Sequence, residues 1–186
     1  MRSEIPANLP TIDIVVTYMA MAAPPSRPAR PAPPGKLAVL RAEAPTVSFY
    51  RFLYNGVGEP WQWTDRRVMP DDELLAHIRD PAVEIYVLYV AGVPGGFAEL
   101  DFRTLPEPNL NYIGLFPEFI GRGLGGWFLD WAVRALWLKG PRRVTVDTCN
   151  LDHPRALQAY QRAGFEVERR ATEPLVPLEA IKALGL

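Results

Sequence analysis

The chain has 186 residues, a length that suits one domain with a real core and is too short for two cores joined by a linker. With 48% hydrophobic and 22% charged residues it has a folded, globular composition, and a net charge of −1 argues against nucleic acid as the main partner, because phosphate binding needs a net basic face. The single cysteine, Cys149, excludes an internal disulfide framework and a thiolate-built zinc site, and points to a reducing, cytoplasmic setting.

Residues 12–21 (IDIVVTYMAM) are rich in β-branched and aromatic types and predict a first strand. The apolar run from Ile12 to Ala23 contains Asp13 and is much shorter than the roughly 20 residues of a membrane span. Arg2 is followed by Glu4 and Asp13, so no positive leader of an export signal develops, and no membrane partner is expected. Lys36 to Arg41 predicts a second strand, able to pair with the first. Between them, six of the eleven residues from Pro24 to Pro34 are proline, and segment 24–35 is expected to be an exposed, mobile loop. Ser48 to Gly56 fits a short helix ended by Asn55-Gly56, and a loop carrying Trp61 and Trp63 follows. A second helix runs from Asp71 or Asp72 to Arg79, with acids in its first turn and Asp80-Pro81 as its stop.

From Val83 the period becomes that of strands. Glu84 to Val90 and Gly96 to Phe102 lie at hairpin distance, and Asn109 to Phe116 follows as a third strand. After a glycine-rich turn at 121–126, Trp127 to Lys139 is helical and Gly140-Pro141 stops it. Arg143 to Thr148 is a strand, Asp152-His153-Pro154 opens a helix that ends at Gly164, and Phe165 to Arg169 is the last strand. The tail from 172 carries no assignment. The sum is a single mixed α/β domain over residues 1–186, without internal repeats.

A glycine-rich turn that follows a strand and opens a helix lets backbone N–H groups approach phosphate, and the helix N-terminus adds partial positive charge. Gly121-x-Gly123-x-x-Gly126 also satisfies the dinucleotide fingerprint, with Asp147 about 20 residues on, where a ribose-binding acid would sit. Against a nicotinamide site, the turn stands five residues beyond the strand, and only about a third of the chain remains for a Rossmann sheet. A turn that binds nothing is the third reading.

The string at 115–126 (LFPEFIGRGLGG) resembles motif A of the GNAT superfamily of N-acetyltransferases, in register over Ile120 to Gly125. ALQAYQRAGF at 156–165 resembles its motif B, with an alanine, a tyrosine four residues on, and Gly164-Phe165 closing the helix. The likeness spans Val83 to Val167. It implies a mixed, mostly antiparallel central sheet with flanking helices and a splayed strand pair, and acetyl-CoA as cosubstrate bound by residues 109–165. The cofactor residues it implies are Leu115, Phe116, Pro117, Ile120, Gly121, Arg122, Gly123, Leu124, Gly125, Gly126, Asn150 and His153, with pantetheine paired to 115–117 and 148–150 in the manner of an added strand. Two positions depart from the family pattern. Ile120 stands where arginine or glutamine is common, and His153 where asparagine is common.

The implied reaction is direct transfer, in a ternary complex, to the primary amine of a small molecule or peptide. It needs a base for the amine and an acid for the departing thiolate. Tyr160 matches the family acid. Glu99, which alternates with Asp101 onto one strand face, is taken as the base, because the position that carries a glutamate base in some members is Asn109 here. Cys149 has no identifiable base beside it and reads as a small buried residue, not as an acyl carrier. His77 and His153 are isolated, so no metal is expected. Tyr50, Tyr54, Trp61 and Trp63 are candidates for the acceptor wall, and Phe49 and Phe52 for core. A homodimer is compatible with the sequence. The competing reading is a non-catalytic acyl-CoA-binding or sensor module, motivated by Asn109.

Overall fold

The computed structural model describes residues 9–185; Arg2 and Glu4 lie outside them. Ile12–Met21 forms strand β1, and both of its edges are taken, by β6 (Val144–Cys149) and by β7 (Glu166–Leu175), each antiparallel to it. The other strands are β2 (Leu37–Arg41), β3 (Val83–Val90), β4 (Val93–Asp101) and β5 (Asn109–Leu115). They complete a seven-stranded sheet in the order β2-β3-β4-β5-β6-β1-β7, antiparallel throughout except where β5 meets β6. This is the mixed, mostly antiparallel sheet expected.

One pairing differs from the sequence reading. β2 does not join β1 but pairs with β3 at the far edge, from Leu37↔Val90 to Arg41↔Tyr86. The proline-rich connection carries the chain there across helix α4 (Leu124–Trp137). The segment is largely exposed, yet it is tethered. Asp130 of α4, 2% exposed, accepts the Arg30 N–H at 2.9 Å and pairs with Arg27 at 2.7 Å, while Arg134 donates to the Arg27 carbonyl at 2.7 Å.

Helix α1 (Val47–Gly58) starts where Thr46 Oγ1 accepts the Phe49 N–H at 3.2 Å. It runs straight through Asn55-Gly56, which the sequence reading took as its stop. A Cβ on Gly56 would lie 2.2 Å from the Phe116 ring and one on Gly58 2.3 Å from Trp63, so these glycines serve close packing inside a helix. The one-turn helix α2 (Asp65–Val68), not anticipated, precedes α3 (Asp71–Ile78). Ala91 (φ 51°) and Gly92 (φ 93°) make the two-residue turn that joins β3 to β4.

Helix α5 (Ala156–Ala163) starts later than the sequence suggested. Asp152 is used instead to close the turn after β6, accepting from the Thr148 hydroxyl (2.6 Å) and the Cys149 N–H (3.0 Å). The tail is ordered: β7 extends to Leu175, and α6 (Leu178–Lys182) buries Leu178 and Ile181.

Two apolar layers cover the sheet. On one face Leu88, Ala98, Leu100 and Val146 pack against Phe128, Ala132 and Leu136 of α4. On the other, Val83, Ile85, Val87 and Phe97 pack against Tyr50, Leu53, Val57, Leu74 and Ile78 of α1 and α3. No helix among the described residues is long and apolar enough to cross a membrane.

Candidate active site

Strands β5 and β6 are parallel, and they meet at one register point, Asn109↔Thr145, where Asn109 Nδ2 donates to Thr145 Oγ1 at 3.0 Å. Beyond it they diverge, and the wedge opens into a cavity of about 900 Å³ walled by β5, β6, the start of α4, α5 and the loop carrying Trp61 and Trp63. The inner edge of β5 from Asn111 to Leu115 has no strand partner among the described residues. Such an edge must be satisfied by water or by a ligand with amides of its own.

The glycine turn lines this cavity through Ile120, Gly121, Gly123, Gly125 and Gly126, with Leu115 beside it. Gly121 (φ 82°) and Gly123 (φ 78°) are left-handed, and a Cβ on either would point into open space. Gly123 caps α4 with no side-chain bond to the first-turn N–H groups, so these remain free for an anion. Other residues expected at the cofactor do not line the cavity. The Arg122 guanidinium turns away onto the Phe119 ring, 5.0 Å from its centroid. Leu124 is core, Pro117 opens a single 3₁₀ turn, and Phe116 packs on Phe52 at 5.3 Å while its N–H donates to the Gly95 carbonyl. Asn150 is tied to the backbone of Val15 on both sides, Oδ1 accepting at 2.7 Å and N–H donating at 3.1 Å, which prolongs the β1–β6 ladder. His153 does line the cavity, its ring 5.1 Å from that of Trp61.

Toward β1 and β7 the lining changes character. Tyr54, Trp61 and Trp63 are all present, joined by Tyr18 and Tyr112; the Trp63 ring lies tilted 5.0 Å from Tyr112 and 5.4 Å from Tyr54 and donates from Nε1 to Asp152 at 3.2 Å. Tyr50 lies beneath this wall, fully buried. Four carboxylates, Asp65, Asp147, Asp152 and Glu173, line the same region. Asp65 accepts from the Tyr112 hydroxyl at 2.9 Å and Glu173 from that of Tyr18, whereas Asp147 has no hydrogen-bond partner among the described residues. Limited hydration in the cleft, and then the charges of Asp152, Asp65 and Glu173, push the Asp147 carboxyl up to about 6 against the pull of Arg169.

Tyr160 is in the lining, its ring set edge-on to Phe165 at 6.0 Å. Burial, then Asp152 and Asp147, raise its pKa, so the phenol keeps its proton at neutral pH. Cys149 also lines the cavity, and burial followed by Asp152 raises its thiol, which disfavours a thiolate nucleophile.

Glu99 is in neither of the places its alternation allowed, cleft or solvent. With Phe97 and Asp101 it faces the layer under α1 and α3, 0% exposed. Its carboxylate accepts from the Tyr50 hydroxyl, Arg66 (3.1 Å), His77 (2.8 Å) and Asn111 (2.5 Å). Burial alone would raise this carboxyl, but the His77 hydrogen bond, the Arg66 and His77 charges and Tyr50 outweigh it and hold it at about 2. A carboxylate so sealed is a poor base. Asn111, which does line the cavity, is what it fixes in place.

The sequence profile of the acetyltransferase (GNAT) family matches residues 47–165, well over half of the chain. The chain belongs to the GNAT acetyltransferase family. Its fold is similar to the GCN5-related N-acetyltransferase of Sphaerobacter thermophilus, with a TM-score of 0.63 and 18% identity over 88% of this chain and 52% of that one. It is also similar to the GCN5-related N-acetyltransferase of Kribbella flavida (TM-score 0.59, 16% identity, 89% of this chain, 59% of that one). Aminoglycoside N-acetyltransferase AAC(6')-Iy in complex with CoA shares the fold at a TM-score of 0.54 and 22% identity, over 73% of this chain and 92% of that one. The chain thus spans about half the length of the Sphaerobacter protein. No curated protein matches it significantly. In a GNAT sheet with one parallel pair there is no Rossmann crevice, so the fingerprint reading of Gly121 to Gly126 falls.

The sequence reading missed Asp65, Asp152, Glu173 and Arg30, and gave Asp147 only to the rejected nucleotide reading. Asp147 was accessible to period-2 logic, since Val144 and Val146 face the α4 core and Asp147 alternates with them.

Proposed function

We propose that the chain transfers the acetyl group of acetyl-CoA to the amine of a small cationic acceptor, by direct attack in a ternary complex. One observation carries this: a single cavity joins the glycine turn at the start of α4 to a ring of carboxylates and aromatic side chains, with Tyr160 in its wall. The residues fit the cosubstrate. The open left-handed glycines and uncapped first turn of α4 suit a pyrophosphate, and the free edge of β5 suits the pantetheine amides. When bound, acetyl-CoA supplies an activated thioester carbonyl.

The chain's own groups do the rest. The carboxylates draw an ammonium in, and Trp61 and Trp63 line the same cavity. Asp147, ionised above about pH 6, takes the proton that the amine must lose. Tyr160 gives its proton to the leaving sulfur. Glu99 acts through Asn111 as a positioning residue and touches no reactant. Solved proteins of this fold include AAC(6')-Iy with CoA and with a bisubstrate analogue, CoA-S-monomethyl-acetylneamine, which supports a bound acceptor next to CoA.

The test is thiol release from acetyl-CoA by the purified chain across monoamines, diamines, aminosugars and peptides, with the acetylated product identified by mass. Amine-dependent release, faster for acceptors with a second positive charge, is expected. Tight CoA binding with no turnover on any amine would favour the sensor module instead.

A further inference from the structure

We infer that Arg30, from the proline-rich segment, is a pyrophosphate-binding residue of the acetyl-CoA site, placing over the first turn of α4 the positive charge that Ile120 cannot supply. The inference rests on the proposed acetyl-CoA site and adds to it a residue from outside both family motifs. A Cβ on Gly126 would come within 3.0 Å of Arg30 Nη1, so the guanidinium lies directly against the first turn of the helix, and Arg30 lines the same cavity as Gly121, Gly123 and Gly125.

That position is unfavourable for a cation by itself, because the N-terminus of a helix carries partial positive charge and free N–H donors. The protein nevertheless tethers the Arg30 backbone beside it, with the residue itself exposed. Asp130, buried in α4, takes the Arg30 N–H at 2.9 Å, neutralises Arg27 at 2.7 Å and is itself held by Arg134 at 3.0 Å, and prolines on both sides restrict the segment. The two arginines therefore divide their work: Arg27 is spent on the anchor, and the Arg30 side chain has no ion-pair partner among the described residues. Gly126 fits the same account. A side chain there would start 3.0 Å from Arg30 Nη1 and make the guanidinium shift, whereas glycine leaves its place free. An anion lying between the N–H groups and the guanidinium turns a repulsive arrangement into two sets of charge-assisted hydrogen bonds. Neither Ile120 nor Arg122, stacked on Phe119, can provide the second set.

The test is calorimetric titration of wild type and Arg30→Gln with CoA and with 3′-dephospho-CoA, and with pantetheine by competition. A charge-assisted phosphate contact predicts roughly a tenfold or greater rise in Kd for both nucleotides in Arg30→Gln, no change for pantetheine, partial recovery in Arg30→Lys, and an unchanged melting temperature. Unchanged CoA affinity in Arg30→Gln, an equal loss for pantetheine, or a loss for CoA that spares 3′-dephospho-CoA would each overturn the inference while leaving the acetyltransferase reading intact. If wild type binds no CoA, both fall.

Discussion

Asp147→Asn separates a working carboxylate from a decorative one, because the structure ties opposite effects on stability and activity to the same atom. The Asp147 carboxyl is raised from 3.8 to about 6, so the folded state favours the protonated form. A shift of that size corresponds to at most ~3 kcal/mol, and because the group opens onto the cavity, solvent screening leaves about 1 kcal/mol. For a raised carboxyl this contribution is fully present below the unfolded value near 3.8 and is lost as pH rises through about 6. Asparagine is neutral at every pH. Asp147→Asn should therefore be more stable than wild type at pH 8 by about 1 kcal/mol, a melting-temperature gain of about 2–4 °C for a chain of this size, and the gain should vanish near pH 4.

Turnover should move the other way. Wild-type kcat/KM should climb with pH through about 6, and the variant should lose that limb along with roughly 10²–10⁴-fold in rate. Scanning calorimetry at pH 4 and pH 8, with thiol release across pH 5–9, reads both. Wild-type turnover with an unchanged pH profile, or no thermal gain at pH 8, would refute the assignment.

Tyr160→Phe keeps the ring contact with Phe165 and removes the proton donor, so turnover at saturating acetyl-CoA should fall by about 10²-fold while CoA affinity by calorimetry stays the same. Gly123→Val puts a β-branched side chain at φ 78°, facing the open phosphate cradle, and should abolish CoA binding in calorimetry; a retained Kd would remove the cradle. Glu99→Gln leaves Arg66 without its buried counter-charge and should cost about 3–5 kcal/mol in denaturant unfolding at pH 7. Because the wild-type carboxyl is lowered from 4.5 to about 2, its contribution exists above 4.5 and is lost as pH falls toward 2, so the variant should lack that part of the acid transition. Glu99→Gln that is as stable as wild type but inactive would restore Glu99 as the base.

The central elements were legible because their signals are local. The β3–β4 hairpin follows from its Ala91-Gly92 turn, the glycine turn before α4 from glycines at 121, 123 and 126, and α5 from its register with Gly164. What the sequence hid depends on contacts far along the chain. β2 carries no mark of whether its partner is β1 or β3, since either would satisfy its ladder. Gly56 looks like a helix stop until the Phe116 ring, 60 positions later, is seen to fill its Cβ position. Glu99 on a strand face could equally be a base, a solvated charge or a buried anchor, and only Arg66, His77 and Tyr50 arriving from α1, α2 and α3 decide among them. The acidic ring is least legible of all, for α2, β6, the turn after it and β7 each contribute one carboxylate.

That ring also bears on how two ligands of opposite charge come to share one cavity. A net charge near zero conceals a division: Arg30 and the start of α4 stand on the glycine side and Arg155 and Arg162 at α5, while Asp65, Asp147, Asp152 and Glu173 gather toward β6, β1 and β7. In a cleft with low-dielectric walls such a field repels each ligand from the other's half and draws it to its own. Without ligands the acidic half raises Asp147, and the exposed Arg30 guanidinium stands beside a helix N-terminus on the other side. On the proposed function a polyphosphate in one half and an ammonium in the other would answer both, and a ternary complex accounts for two oppositely charged surfaces in one cavity where a single ligand accounts for only one.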